Sequence, residues 1–237
     1  MPLSNFATSF ETFLESVAGA ERIDELAPAA GLSRAKRADF LFANRSIVCE
    51  IKSLESRTQE KQRAILAAAG IQLPSGGAWI QDLLNGRPNA DEIYDKVVNA
   101  GTTALSDGLA EADKQIIATK DAFGLASADG LVIILHGSVR DINPNVMVRR
   151  VIQRFKKNGA YGRPYHNQIN LVCIFSEQHT LELPTGEIAD VVIPLTNARV
   201  PEAHGVMEFM KTLHEQWAAF NGRQPLATTM SELPPPR

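Results

Sequence analysis

Cysteine is scarce in this chain. Only two occur among 237 residues, Cys49 and Cys173. Both fall in segments that read as apolar strands, and neither has a metal-ligand partner at usable spacing. They are expected to be reduced, buried small hydrophobes, which excludes a disulfide framework. The five histidines form no His-x-His or His-x-x-x-His pattern, so zinc is not expected. Long apolar runs are also missing, and no segment approaches the roughly 20 residues of a membrane span. Met1-Pro2-Leu3-Ser4-Asn5 lacks the basic and apolar regions of a signal peptide. The expected compartment is the cytoplasm, with no membrane partner. Charge of one sign is lacking as well: 24 Lys and Arg stand against 27 Asp and Glu. That balance excludes a protein coating nucleic acid indiscriminately, though not a local basic groove.

What is present suits an ordinary folded domain. Hydrophobic residues make up 44% and charged residues 22%, enough to build a core without staples. One domain is expected over residues 1–222, with a helical insertion at about 55–100 and a disordered tail at 223–237. Phe6, Phe10, Phe13, Leu14 and Val17 recur at helical spacing, which predicts a helix over 4–18. Within the insertion, helices are expected from Arg57 to Ala69, around Trp79 to Leu84, and from Asp91 to Ala100. Pro74-Ser75-Gly76-Gly77 punctuates them, without phosphate-cradle spacing.

A central helix is predicted over 106–123, with Ser106 as N-cap, Gly124 as stop, and Leu109, Ala112, Ile116, Thr119 and Phe123 on its buried face. Gly130 to Leu135 is continuously apolar and reads as a strand buried on both faces. Asn143-Pro144 opens another helix. Strands are expected at 169–175 and 189–194, then a last helix bearing Val206, Phe209, Met210, Leu213, Trp217 and Phe220 and ending at Gly222. Hairpin signals early and helix-linked strands later predict an α/β fold with a mixed sheet flanked by helices.

The most informative stretch is Ala38-Asp39-Phe40-Leu41-Phe42, followed after Asn44-Arg45-Ser46 by Ile47-Val48-Cys49-Glu50-Ile51-Lys52. It reads as a hairpin. Strand alternation puts Val48, Glu50 and Lys52 on one face, with Cys49 and Ile51 on the other. Two carboxylates and an ammonium on an apolar hairpin are costly to bury unless something pairs them. A magnesium or manganese ion, which prefers hard oxygen ligands, meets that need.

Asp39, then Glu50-Ile51-Lys52 on the next strand, then the helix from 106 and the strand from 130 resemble the PD-(D/E)XK nuclease superfamily. The resemblance covers about residues 1–136, interrupted by the insertion. It departs from the written motif at Ala38, which stands where the proline would be. The resemblance implies a restriction-endonuclease-like fold and a Mg2+ or Mn2+ ion held by Asp39, Glu50 and the Ile51 carbonyl. It implies that the ion acidifies a water for in-line attack on a phosphodiester, with Lys52 orienting or deprotonating that water. It also implies a carboxylate from the first helix, for which Glu11 is preferred over Glu15 and Glu21. From the later helix it implies a Gln or Lys, and Gln115 is preferred over Lys114.

Arg34, Lys36 and Arg37 immediately precede Asp39 and are candidates to border a DNA groove. Arg149, Arg150, Arg154, Lys156 and Lys157 form a basic stretch that suits either phosphate contact or a solvated helix face. His136, just after the buried strand, is expected as a satisfied loop histidine, with approach to the site as the alternative. Tyr161 and Tyr165 suit packing or base stacking, and Trp79 and Trp217 suit the core. The expected function is a metal-dependent endonuclease acting on nucleic acid, DNA before RNA. The alternatives are a non-cleaving module of the same fold that binds nucleic acid or a protein partner, and an unrelated α/β protein with an accidental triplet. The insertion at 55–100 or a partner chain is the expected source of specificity, and the partners expected besides nucleic acid are a second copy of the chain, as a homodimer, or a partner protein.

Overall fold

The computed structural model describes residues 5–30, 37–72, 83–137, 144–159, 162, 164–182, 188–200 and 204–223. Helix α1 (Asn5–Ser16) forms as its spacing predicts, with Phe6, Phe10, Phe13 and Leu14 all buried. Two elements that periodicity does not announce follow: strand β1 (Glu21–Arg22) and helix α2 (Ile23–Ala30). The hairpin is β2 (Phe40–Phe42) and β3 (Ile47–Ser53). Helices α3 (Glu55–Ala68) and α4 (Ala90–Phe123) precede β4 (Asp129–His136). Helix α5 (Pro144–Lys156), strands β5 (Leu171–Glu182) and β6 (Ile188–Thr196), and helix α6 (His204–Phe220) complete the order.

The six strands make one mixed sheet in the order β1-β2-β3-β4-β5-β6. β3, β4 and β5 run parallel, and the pairs β1–β2, β2–β3 and β5–β6 are antiparallel. Alternation along the strands divides the core into two layers. On one face, Leu41, Val48, Val132, Ile134, Val172 and Ile174 meet Leu105, Leu109, Ala112 and Ile116 of α4 and Met147, Val148 and Val151 of α5. On the other, Phe40, Phe42, Cys49, Leu131, Ile133 and Phe175 meet α1 and α6. Phe10 lies 4.8 Å, centroid to centroid, from both Phe175 and Trp217. Burying each such side chain contributes about 1.5–3 kcal/mol, so α1 is fixed by its apolar stripe.

Three expectations change. The helix predicted to start at Ser106 is continuous from Ala90, 34 residues and about 50 Å long, and absorbs the helix expected over Asp91 to Ala100. Ser106 is not a cap: its Oγ donates to the Thr102 carbonyl at 2.8 Å, one turn back inside the helix. Helix α3 packs on the N-terminal half of α4 through a small cluster of Leu66, Ile71, Leu84 and Val97. His136 closes β4 instead of sitting in a loop, and its Nδ1 lies 3.0 Å from Ser176 Oγ. Gly124 stops α4 as expected, with φ 68° and its N–H donated to the Lys120 carbonyl. Trp79, Tyr161 and the tail at 224–237 lie outside the described residues, as does all of the segment at 79–84 except Leu83 and Leu84.

Candidate active site

Asp39 stands one residue before β2. Pairing runs Phe40↔Cys49 and Leu41↔Val48, and continuing it by one step sets Asp39 opposite Glu50. Side chains opposite one another on neighbouring strands share a face, here the α4 face. Backbone ties hold Asp39 on both sides: its N–H donates to the Cys49 carbonyl and its carbonyl accepts from Ile23, each at 3.0 Å. Its Oδ2 accepts the Ile51 N–H at 2.7 Å. The carboxylate is thus anchored by the middle residue of the Glu-x-Lys triplet.

Glu50 is 2% exposed. Its Oε1 lies 2.7 Å from Lys52 Nζ, while among the described residues no donor reaches the buried Oε2, and the only group pressed against this carboxyl besides Lys52 is the Asp39 carboxyl. Burial, then the Asp39 carboxylate, push the Glu50 carboxyl up to about 8, and Lys52 offsets them only in part. Asp39 is raised as well, chiefly by burial, against the opposing pull of the Ile51 N–H and Lys52. A close ion pair and a raised carboxyl are compatible here, because one ammonium faces two carboxyls removed from water. The pocket is short of positive charge.

Lys52 is held from α4. Its Nζ donates to Gln115 Oε1 at 2.8 Å, and Gln115 Nε2 donates to the Arg37 carbonyl at 2.9 Å. Gln115 is buried and Lys114 exposed, as the helix phase predicts. Glu111, one turn earlier on the same flank, brings Oε2 to 3.6 Å from Lys52 Nζ. Sequence reasoning missed Glu111, although its i−4 spacing from Gln115 is the signal that finds it. It also missed Thr119, whose hydroxyl accepts the Ala38 N–H at 2.9 Å and fixes the approach to Asp39.

The three acidic candidates from the first helix and its end separate cleanly. Glu11 is half-buried, and its carboxyl is raised by burial and then by the charge of Asp39. Glu15 pairs with Arg22, and Glu21 with Arg45 at 2.6 Å. Glu11 is thus the one of the three whose carboxyl is raised in part by the Asp39 charge. Arg37 is committed elsewhere, since its guanidinium sits 2.7 Å from Asp24 and its carbonyl accepts from Gln115. Arg34 and Lys36 lie outside the described residues.

Among the described residues no three His, Cys, Asp or Glu side chains gather as a metal-ligand group. The pocket has two carboxyls, Asp39 and Glu50, with the main chain of Ile51 next to Glu50 in sequence and bonded to Asp39. The residues nonetheless suit a hard divalent cation: the Glu50 Oε2 that no described donor reaches and the two raised carboxyls are what a cation would satisfy. No family profile, curated protein or solved structure matches the chain. Among the described residues no helix is long and apolar enough to cross a membrane.

Proposed function

We propose that this chain is a metal-dependent nuclease with a restriction-endonuclease-like core, hydrolysing phosphodiester bonds, in DNA before RNA. The observation that carries this is the meeting of Asp39 and Glu50 beside Lys52 Nζ, 2.7 Å from Glu50. The order α1, hairpin, α4, β4, with β3 and β4 parallel, agrees with the same function. Asp39, Glu50 and the Ile51 carbonyl would hold Mg2+ or Mn2+. Such an ion, when bound, neutralises phosphate oxygens and acidifies water.

The protein's own groups do the rest. Asp39 is oriented by the Ile51 N–H, so one oxygen is fixed and the other left for the site. Lys52 carries the amine that orients or deprotonates the attacking water and offsets charge developing on the phosphoryl oxygens. Gln115 aims that amine, because its own amide is locked by the Arg37 carbonyl. Glu11 adds negative charge on the α1 side of Asp39.

The test is cleavage of duplex, single-stranded and branched DNA and of RNA in Mg2+ or Mn2+. Wild type cuts at least one, and Asp39→Ala and Glu50→Ala abolish the cut. A cut that survives both substitutions overturns the assignment. A second function, nucleic-acid or protein binding without cleavage, is favoured by the direct Glu50–Lys52 ion pair, which occupies an oxygen a cation needs. Binding without any cut in either metal selects it.

A further inference from the structure

Charge is segregated along this chain. Six of its 24 Lys and Arg, and none of its 27 Asp and Glu, fall between Ile142 and Ser176, leaving 18 cations against 27 anions elsewhere. The described part of that acid-free segment builds α5, the residues at 164–166 that fold back on its C-terminal end, and the start of β5. Met147, Val148, Val151 and Phe155 bury one side of α5 in the core. Arg149, Ile152, Gln153 and Lys156 recur at i, i+3, i+4 and i+7 and are all exposed. Beside them runs a second row, Arg150, Arg154 and Lys157.

The loop organises this second row. Tyr165 N–H donates to the Lys157 carbonyl at 3.1 Å. The Tyr165 ring lies 4.7 Å from the Arg154 guanidinium and 5.6 Å from Lys157 Nζ. Tyr165, though 38% exposed, thereby holds two cations at a fixed spacing. Behind it, His166 is buried, and both ring nitrogens and Arg154 Nε lack hydrogen-bond partners among the described residues. Burial, then Arg154 and Lys157, push His166 down to about 4, as expected where positive charge goes unanswered. Among the described residues, none of the five cations on α5 and just beyond it forms an ion pair with a carboxylate.

A helix dipole alone does not account for the surplus. The C-terminal carbonyls of α5 are already answered by Arg199, whose Nη1 donates to Phe155, Lys156 and Lys157 at 3.3, 3.0 and 3.2 Å. Arg150 Nε donates to Ser106 Oγ at 2.8 Å. Arg149, Lys156 and Lys157 are exposed, and Arg154 lies half-buried against the Tyr165 ring.

We infer that the basic face of α5, with Tyr165 as its brace, binds the phosphodiester backbone of a nucleic acid. From Arg149 to Lys157 the helix rises about 12 Å, enough to meet several successive phosphates of one strand. An anionic membrane fits less well: interfacial helices need a row of apolar side chains, and Ile152 is the only exposed one on this stripe. The face is not an extension of the Asp39–Glu50 site. Helix α4 separates them, meeting Lys52 with its Gly108–Gln115 flank and Arg150 with its Ser106 flank. Asp107, Glu111 and Asp121 outnumber Lys114 among the exposed residues of its outer crest. Binding at α5 therefore stands or falls separately from cleavage.

The experiment is fluorescence anisotropy of the full chain with a labelled 20-base-pair duplex and the matching single strand, in EDTA, over a salt series. Wild type binds, with affinity falling as salt rises. The double variant Arg149→Glu/Lys156→Glu, at exposed positions that leave the core intact, weakens binding tenfold or more. It also shallows the log–log salt slope by about two, one per lost phosphate contact. Tyr165→Leu weakens binding less and keeps the slope, because it loosens cations without removing them. Lys211→Glu, exposed on α6 across the sheet, leaves binding unchanged. Thermal melting of each variant confirms that it folds. Wild-type binding that the double variant does not alter, no wild-type binding at all, or capture by phosphatidylserine vesicles in place of oligonucleotide each overturns the inference. None of these outcomes depends on Asp39 or Glu50.

Discussion

Gln115 and Lys52 are 63 residues apart in sequence, yet Lys52 Nζ donates to Gln115 Oε1 at 2.8 Å. The pairing is directional because the other end of the amide is spent: Nε2 donates to the Arg37 carbonyl at 2.9 Å. A flipped amide would present a donor to an ammonium and an oxygen to a carbonyl, so only one orientation is stable. Gln115 is thus a positioning residue for the Lys52 amine, tying α4 to the strand that carries the triplet.

Gln115→Leu is expected to lower stability by about 1–3 kcal/mol, since it strips a donor from one partner and an acceptor from the other. Denaturant unfolding measures that loss. Under the proposed function, it also slows cleavage by roughly 10–100-fold through a misplaced amine. Gln115→Glu keeps the acceptor for Lys52 but sets a carboxylate oxygen against the Arg37 carbonyl. It is expected to retain more activity than Gln115→Leu while remaining destabilised.

Glu50 sets up a test of metal binding that needs no substrate. Its carboxyl is buried, repelled by Asp39, and only in part compensated by Lys52. Saturating Mn2+ at about 100 times its dissociation constant adds about 2.7 kcal/mol to stability, read as a rise in melting temperature. Glu50→Gln is expected to melt higher than wild type in EDTA at pH 8, because it removes a buried charge and keeps the side-chain volume. The same variant should lose the Mn2+-induced rise. A wild-type melting temperature indifferent to Mn2+ and Mg2+ would speak against the cation.

Much of this pocket is legible from local rules. Strand parity puts Glu50 and Lys52 on one face, and helix phase separates buried Gln115 from exposed Lys114. What escapes is set by tertiary contact. Strand β1 is two residues long and α2 only eight, too short for a periodic signal. Helix α4 reads from the sequence as two helices, Asp91 to Ala100 and 106–123 with Ser106 as N-cap, yet Gly101 and Ser106 are both buried in its middle. Packing against α3 and the sheet overrides those local preferences, and Ser106 satisfies itself on the preceding turn. Glu111 escapes because it is exposed, and its i−4 spacing from Gln115 singles it out only once Gln115 is placed beside Lys52.

Two glycines predict opposite outcomes. A Cβ on Gly130 would lie 1.8 Å from the Gln168 carbonyl oxygen, a backbone atom. Its own carbonyl accepts the Asn170 N–H and its N–H donates to Asn170 Oδ1, both at 2.8 Å, so β4 cannot shift without breaking both. Gly130→Ala is expected to cost several kcal/mol, more than the usual 1–3 kcal/mol of an overpacked site, or to leave no soluble protein. At Gly108 a Cβ meets only the Lys52 stem at 3.7 Å, ordinary contact. Gly108→Ala should raise stability by about 0.5–1 kcal/mol through helix propensity. Paired thermal melts decide both.

Asp113 governs a pH dependence away from the pocket. It is buried on α4, where Oδ1 accepts the Gln168 N–H at 3.1 Å, and Lys120 Nζ donates to Gln168 Oε1 at 3.0 Å. Burial pushes its carboxyl up from 3.8 to about 6, against the pull of the Gln168 N–H and Lys120. Below 3.8 the folded and unfolded chains both hold the proton. Between 3.8 and about 6 the unfolded chain releases it first, so the folded state binds more protons and stability falls as pH rises. Above about 6 both are ionised and the contribution is flat. Asp113→Asn keeps an oxygen for the Gln168 N–H and removes the titration. It should flatten this part of the unfolding free energy against pH and be more stable than wild type at pH 7. Denaturant curves collected from pH 4 to 7 on both proteins measure the difference. Equal slopes would mean that the Asp113 carboxyl ionises in the folded protein as it does in the unfolded chain.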